Sequence, residues 1–148
     1  MVKIIRLLIV AVMALAVAGC EFKEPINNDI EGFWKLERFE TRADGRMHEC
    51  TRQYYSITRY VVEVSEKQGP NGYGSYIGRF GYEDGETKVV MKDFKQRAAT
   101  SDNGVDATVD DLLPFGINSV ETTFEVVVAD GDNLVLRSDY ATLQLTRF

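Results

Sequence analysis

Few side chains in this sequence are placed to do chemistry, and the first is Cys20, which closes the run Leu15-Ala16-Val17-Ala18-Gly19-Cys20. Small Ala18 and Gly19 leave a peptide backbone open to a peptidase, and the thiol that follows can be acylated. The second thiol is Cys50, in Arg46-Met47-His48-Glu49-Cys50 beside the only histidine. A base and nucleophile must face each other within hydrogen-bond reach, and near neighbours on a polar stretch rarely do. Two cysteines and one histidine supply no zinc-ligand spacing. Asp102-Asn103-Gly104-Val105-Asp106, with Asp110 and Asp111 following, collects oxygen ligands without the spacing of a calcium loop, and is read as a solvated acidic loop leading into a helix cap. Gly72-Tyr73-Gly74 and Gly78 lack the spacing of a dinucleotide loop, and Gly-x-Ser-x-Gly, His-Glu-x-x-His and Walker sequences do not occur. The reading is therefore a protein that is not an enzyme, with no catalytic residue, metal or cofactor assigned.

Cys20 is preceded by a basic segment carrying Lys3 and Arg6 and by an apolar run over residues 7–18. That is the layout of a secretory signal, and a run of this length falls short of the roughly 20 residues a membrane-spanning helix needs. Val17-Ala18-Gly19-Cys20 resembles the lipobox of bacterial lipoproteins. The resemblance implies that residues 1–19 are removed and that Cys20 becomes the acylated first residue, anchoring the protein in the envelope through its acyl chains. Glu21, in place of the aspartate of an inner-membrane retention signal, implies the outer membrane. Several acyl chains hold where one does not. Loss of Lys3 and Arg6 takes the formal charge from −6 to −8, which argues against nucleic acid as a partner. With Cys20 acylated, Cys50 has no disulfide partner and is expected to be buried.

Residues 20–31 read as a tether, since Pro25 and Asn27-Asn28-Asp29 favour turn or extended backbone. The domain is expected over 32–148. It opens on Gly32-Phe33-Trp34-Lys35-Leu36-Glu37-Arg38-Phe39-Glu40, with Trp34, Leu36 and Arg38 on one face and Phe33, Lys35, Glu37 and Phe39 on the other. Further strands are expected over 52–57, 60–65, 75–82, 87–94, 120–128, 134–137 and 140–148, all rich in aromatic and β-branched residues. Phe124, Val126 and Val128 alternate along the strand and are expected to share one face. Residues 96–106 read as a loop, and 108–113 as one helical turn, capped by Thr108 with Asp111 three residues on and stopped by Pro114. Eight strands joined almost wholly by hairpin-like links avoid bare edges by closing. The fold expected is an all-β, eight-stranded up-and-down antiparallel barrel with one short helix.

At Gly32-Phe33-Trp34 the sequence resembles the lipocalins, whose first strand opens on Gly-x-Trp, and Leu112-Leu113-Pro114-Phe115-Gly116-Ile117-Asn118-Ser119 is similar to lipocalin-like domains of small bacterial lipoproteins. The likeness implies that Arg147, near the end of the closing strand, covers Trp34. It departs from the main lipocalins in lacking a disulfide and in placing its helix before the last three strands.

An eight-stranded barrel is filled by side chains or holds one small ligand. Tyr76, Phe80 and Tyr82 share a row with Gly78, which is expected to leave space that the rings surround, with Leu113 or Phe115 near one rim. These six residues are the sequence-based candidates for binding a small apolar or amphipathic molecule. The alternative is a filled barrel acting as an interaction module or accessory subunit for another envelope protein. Cavity volume separates the two.

Overall fold

The computed structural model describes residues 26–67 and 74–148; the signal sequence and Cys20 lie outside them. Strands β1 (Gly32–Thr41), β2 (Arg46–Glu49), β3 (Gln53–Thr58), β4 (Val61–Glu66), β5 (Ser75–Glu83), β6 (Lys88–Ala98) and β7 (Ser101–Asp106) lead to helix α1 (Val109–Leu112) and a 3-10 turn (Leu113–Phe115). Strands β8 (Glu121–Ala129), β9 (Asn133–Arg137) and β10 (Ala141–Arg147) follow. All pairings are antiparallel, in the order β10-β9-β8-β6-β5-β4-β3-β1, and β10 pairs back onto β1 from Trp34↔Arg147 to Thr41↔Ala141. This is the closed eight-stranded barrel with one short helix that the sequence implies.

Two ribbons outside the sequence reading explain why ten strands make an eight-stranded barrel. The end of β1 pairs with β2 and its start with β3, so β2 and β3 act as one interrupted strand. Similarly, β8 covers β6 from Lys88 to Lys92, and the rest of β6 folds back onto β7. Residues 96–106, expected as a loop, are thus a hairpin. Every residue of β7 is exposed, so the segment carries no apolar alternation that would reveal a strand; only the unpaired edge of β6 calls it into one.

Bulges correct two face assignments. Register shifts between Leu36 and Arg38 because β1 spends an extra residue, Glu37, against β10. Beyond it the pleat inverts: Phe39 turns into the core and Arg38 faces out. An extra residue in β8 between Val126 and Val128 likewise swings Val128 outward, opposite Val135.

The ends of the barrel are closed by non-strand segments. At the base, residues 27–31, read above as the end of a tether, form a turn that belongs to the fold: Ile30 is buried and its carbonyl accepts a 2.8 Å hydrogen bond from the Trp34 indole Nε1–H. At the top, α1 and the 3-10 turn lie across the mouth. The expected cap is present, with Thr108 Oγ1 accepting from the Asp111 N–H and Asp111 accepting from the Thr108 N–H. The α-helix ends at Leu112, two residues before Pro114, as expected; the chain continues as a 3-10 turn with Pro114 near its start, where its missing N–H costs nothing, and the turn ends at Gly116 with φ +76°. Leu112, Phe115 and Ile117 are buried beneath it.

Candidate functional site

Arg147 and Trp34 meet at the barrel base, because antiparallel closure brings the end of β10 to the start of β1. The guanidinium carbon lies 3.9 Å from the indole centroid. Nε donates to the Gly131 carbonyl at 2.8 Å, one Nη to Glu31 O at 3.0 Å and the other to Asn28 O. Gly32, at φ +144°, leaves the space this guanidinium occupies; a Cβ there would fall on Arg147. The three residues form a clasp that holds the basal turn across the barrel end. Glu31, buried in that turn, accepts hydrogen bonds from the Asn27 N–H at 2.9 Å and the Tyr82 hydroxyl at 3.0 Å. Burial, then this hydrogen bond to Glu31, pushes the Tyr82 phenol well above its ordinary range.

The row Tyr76, Gly78, Phe80 and Tyr82 lies along one face of β5, with Gly78 and Phe80 buried. At Gly78 the sequence-based expectation of free space fails. A bulge in β6, with Asp93 at φ +55°, drives Phe94 toward β5, so that a Cβ on Gly78 would lie 2.8 Å from both the Lys92 carbonyl oxygen and the Phe94 ring. Phe80 packs edge-on against Tyr82 at 5.1 Å between centroids, near the base. Tyr76 instead meets Phe115 at 6.4 Å, at the top. Tyr55, which the sequence reading left as a plain strand residue, is fully buried between them; its ring meets Phe115 at 6.5 Å and its hydroxyl donates to the Phe115 carbonyl. Burial raises the Tyr55 phenol far above its usual range. Of the two rim candidates Phe115 is buried, whereas Leu113 is half-exposed and its neighbour Leu112 takes the inward position. The barrel axis is thus occupied by Trp34, Tyr55, Phe80, Phe94, Phe115 and Phe124.

The space a ligand could enter lies outside this core. An apolar cleft of about 620 Å³ opens at the base beside the turn, lined by Ile26, Asn28, Glu31, Gly32, Ile57, Thr58 and Arg59. A second groove of about 440 Å³ lies over Gly81, lined by Phe80 and Tyr82 of the predicted row together with Tyr60, Arg79 and Lys92. Of the base-cleft residues only Gly32 was singled out by sequence. The apolar pair Ile26 and Ile30, four apart in an otherwise polar stretch, was the available signal that the segment packs.

The remaining chemical candidates are not assembled into a site. Cys50 is buried, its sulfur points at the His48 carbonyl oxygen at 3.7 Å, and burial pushes the thiol up to about 11, so it is a poor nucleophile. The His48 ring stacks on Phe39 at 4.6 Å. Asp102 accepts from the Gly104 N–H, Asp106 pairs with Lys95 and Asp111 caps α1. Among the described residues no three carboxylate, imidazole or thiol groups converge as a metal site would require.

A closed antiparallel barrel with a plugged top and an Arg-over-Trp clasp at the base defines a lipocalin-like protein. The sequence matches the lipocalin-like domain family over residues 13–148, and the chain belongs to that family. Its fold is similar to that of a lipocalin-like protein from Bacteroides uniformis ATCC 8492, with TM-score 0.62 at 18% identity, covering 81% of this chain and 99% of that one. It is also similar to an uncharacterized protein from Bacteroides eggerthii DSM 20697, with TM-score 0.60 at 15% identity, covering 80% of this chain and 98% of that one. None of the curated proteins matches the chain. Lipocalin-like barrels typically bind rather than catalyse.

Proposed function

We propose that this chain is a non-catalytic lipoprotein, anchored in the bacterial envelope at the outer membrane through acyl chains on Cys20, whose barrel binds a small apolar or amphipathic molecule. The observation that carries the reading is the basal cleft of about 620 Å³, which lies within the range of small-molecule sites and is walled by Ile26, Ile57 and the clasped turn. Its polar groups are few, and Arg59 at its edge offers an anchor for a polar head. The binding site in this reading is the cleft, and the packed axis with the row Tyr76, Gly78, Phe80 and Tyr82 is the scaffold that holds it. The cleft also sits where the chain enters the fold, six residues after Cys20, a reach of at most about 20 Å from the lipid surface.

The filled interior supports a second reading, an interaction module whose outer surface engages another envelope protein. Mass spectrometry of the protein isolated from its native envelope separates the two. The first reading expects an acylated Cys20 and a co-purifying small molecule that is lost in Thr58→Trp, where an exposed side chain is enlarged into the cleft. A small molecule retained by that variant moves the site elsewhere. A protein partner in place of a small molecule selects the second reading, and an unmodified Cys20 removes the anchor.

A further inference from the structure

Three rings on the outer wall surround one ammonium. Phe33 projects outward from β1, Tyr54 from β3, and Phe148 follows β10, held by a 3.0 Å hydrogen bond from its N–H to the Phe33 carbonyl. Tyr54 and Phe148 stand edge to face at 5.2 Å. The Lys67 Nζ lies 4.6 Å from the Tyr54 centroid, 5.4 Å from Phe148 and 5.5 Å from Phe33, inside the roughly 6 Å over which a ring face attracts a cation. Among the described residues no carboxylate pairs with this lysine, although eight ion pairs form elsewhere on the surface. Phe33 and Phe148 remain 47% and 69% exposed, so the rings are open to an incoming molecule.

We propose that Phe33, Tyr54 and Phe148 form a cage for a small soluble molecule bearing a quaternary ammonium group, and that Lys67 fills this cage until the ligand displaces it. The chemistry selects the ligand class. A primary ammonium in the cage turns N–H donors toward rings that accept them only weakly, giving up strong hydrogen bonds to water. A quaternary ammonium has no N–H to leave unsatisfied and presents methyl groups to the ring faces. The formal charge of −8 on the processed chain draws cations to the surface generally, and the ring geometry makes this spot specific. The cage shares no residue with the basal cleft, so it stands or falls apart from the ligand reading above.

The test is a titration with tetramethylammonium chloride against sodium chloride at equal ionic strength, following the ring protons of Phe33, Tyr54 and Phe148 by NMR. Saturable shifts specific to tetramethylammonium are expected in the parent protein. In Lys67→Ala, which empties the cage at an exposed position, binding should tighten by about tenfold. Phe148→Leu, also exposed, should abolish it while leaving the rest of the spectrum unchanged. Absence of saturable shifts in Lys67→Ala, or equal binding by Phe148→Leu, overturns the cage. Binding of phosphatidylcholine vesicles without binding of free tetramethylammonium overturns the soluble-ligand assignment.

Discussion

Arg147 gives donors to carbonyls from two separate segments, Asn28 and Glu31 in the basal turn and Gly131 in the β8–β9 connection, while its flat face rests on the indole of Trp34. Only a planar fork reaches all three acceptors at once. Arg147→Lys keeps the charge but leaves at least one carbonyl unpaired and removes the stacking. It is expected to destabilise the fold by about 2–4 kcal/mol, since hydrogen bonds to charged groups contribute about 1.5–3 kcal/mol each and are not additive. A urea denaturation midpoint equal to that of the parent would show that the clasp does not hold the base. Gly32→Ala tests the same clasp from the other side, because its Cβ competes for the place of the guanidinium and its φ of +144° disfavours any side chain.

At the scale of elements, the top of the barrel depends on a helix of four residues that cannot persist alone. Its reciprocal cap therefore matters more than its propensity. Hydrogen bonding from the Thr108 backbone holds the Asp111 carboxyl below its ordinary 3.8, with the Thr108 and Tyr76 side chains adding to the effect. A carboxylate whose folded value is depressed stabilises the fold above the unfolded value, and that contribution is lost as pH falls through the folded one. Loosening of the plug is thus expected only below about pH 4. Amide exchange at Leu112 and Phe115 should accelerate there in the parent, relative to the intrinsic rate. Asp111→Asn should exchange faster already at pH 7 and show little further acid dependence, and identical profiles for the two proteins would remove Asp111 from the account. The same scale explains the misread faces of β1 and β8. A single extra residue opposite a regular partner inverts the pleat, and neither Glu37 nor Val127 carries a local mark of it.

Across the whole molecule, large buried side chains occupy the described barrel interior from base to top. Phe94 fills the space that Gly78 vacates, Tyr55 and Phe115 close the top, and Ile30 with Trp34 closes the base. Gly78→Ala should therefore destabilise by about 1–3 kcal/mol through overpacking, because one of its neighbours at 2.8 Å is a backbone carbonyl that cannot rotate away. A thermal midpoint unchanged from the parent would mean that the interior has room after all. An accompanying gain in apolar-probe binding by Phe94→Ala would be a created cavity, not a native one.

Much of this was legible in the chain itself. Period-two rows such as Leu134 and Leu136, or Leu143 and Leu145, need only local alternation to place them inside a strand pair, and turns such as Asp84-Gly85 and Asp130-Gly131 need only local backbone preference. The eight strands of the barrel wall, the closure of the sheet and the Arg147–Trp34 meeting follow from such local signals, because a closing meander brings its last strand to its first, whereas the short β2 and the exposed β7 do not. Whether the barrel is hollow does not follow. It depends on how far a bulge in β6 carries Phe94 across to β5 and on what Phe115 finds beneath the plug, which are contacts between segments remote in sequence. The cleft is likewise a product of tertiary structure, made where Ile26 and the basal turn pass over Ile57. Alternation and turn chemistry act within a few residues and so determined the strands and their order. The volume left between closed strands is a small difference between large packed volumes, and only the assembled side chains decided it.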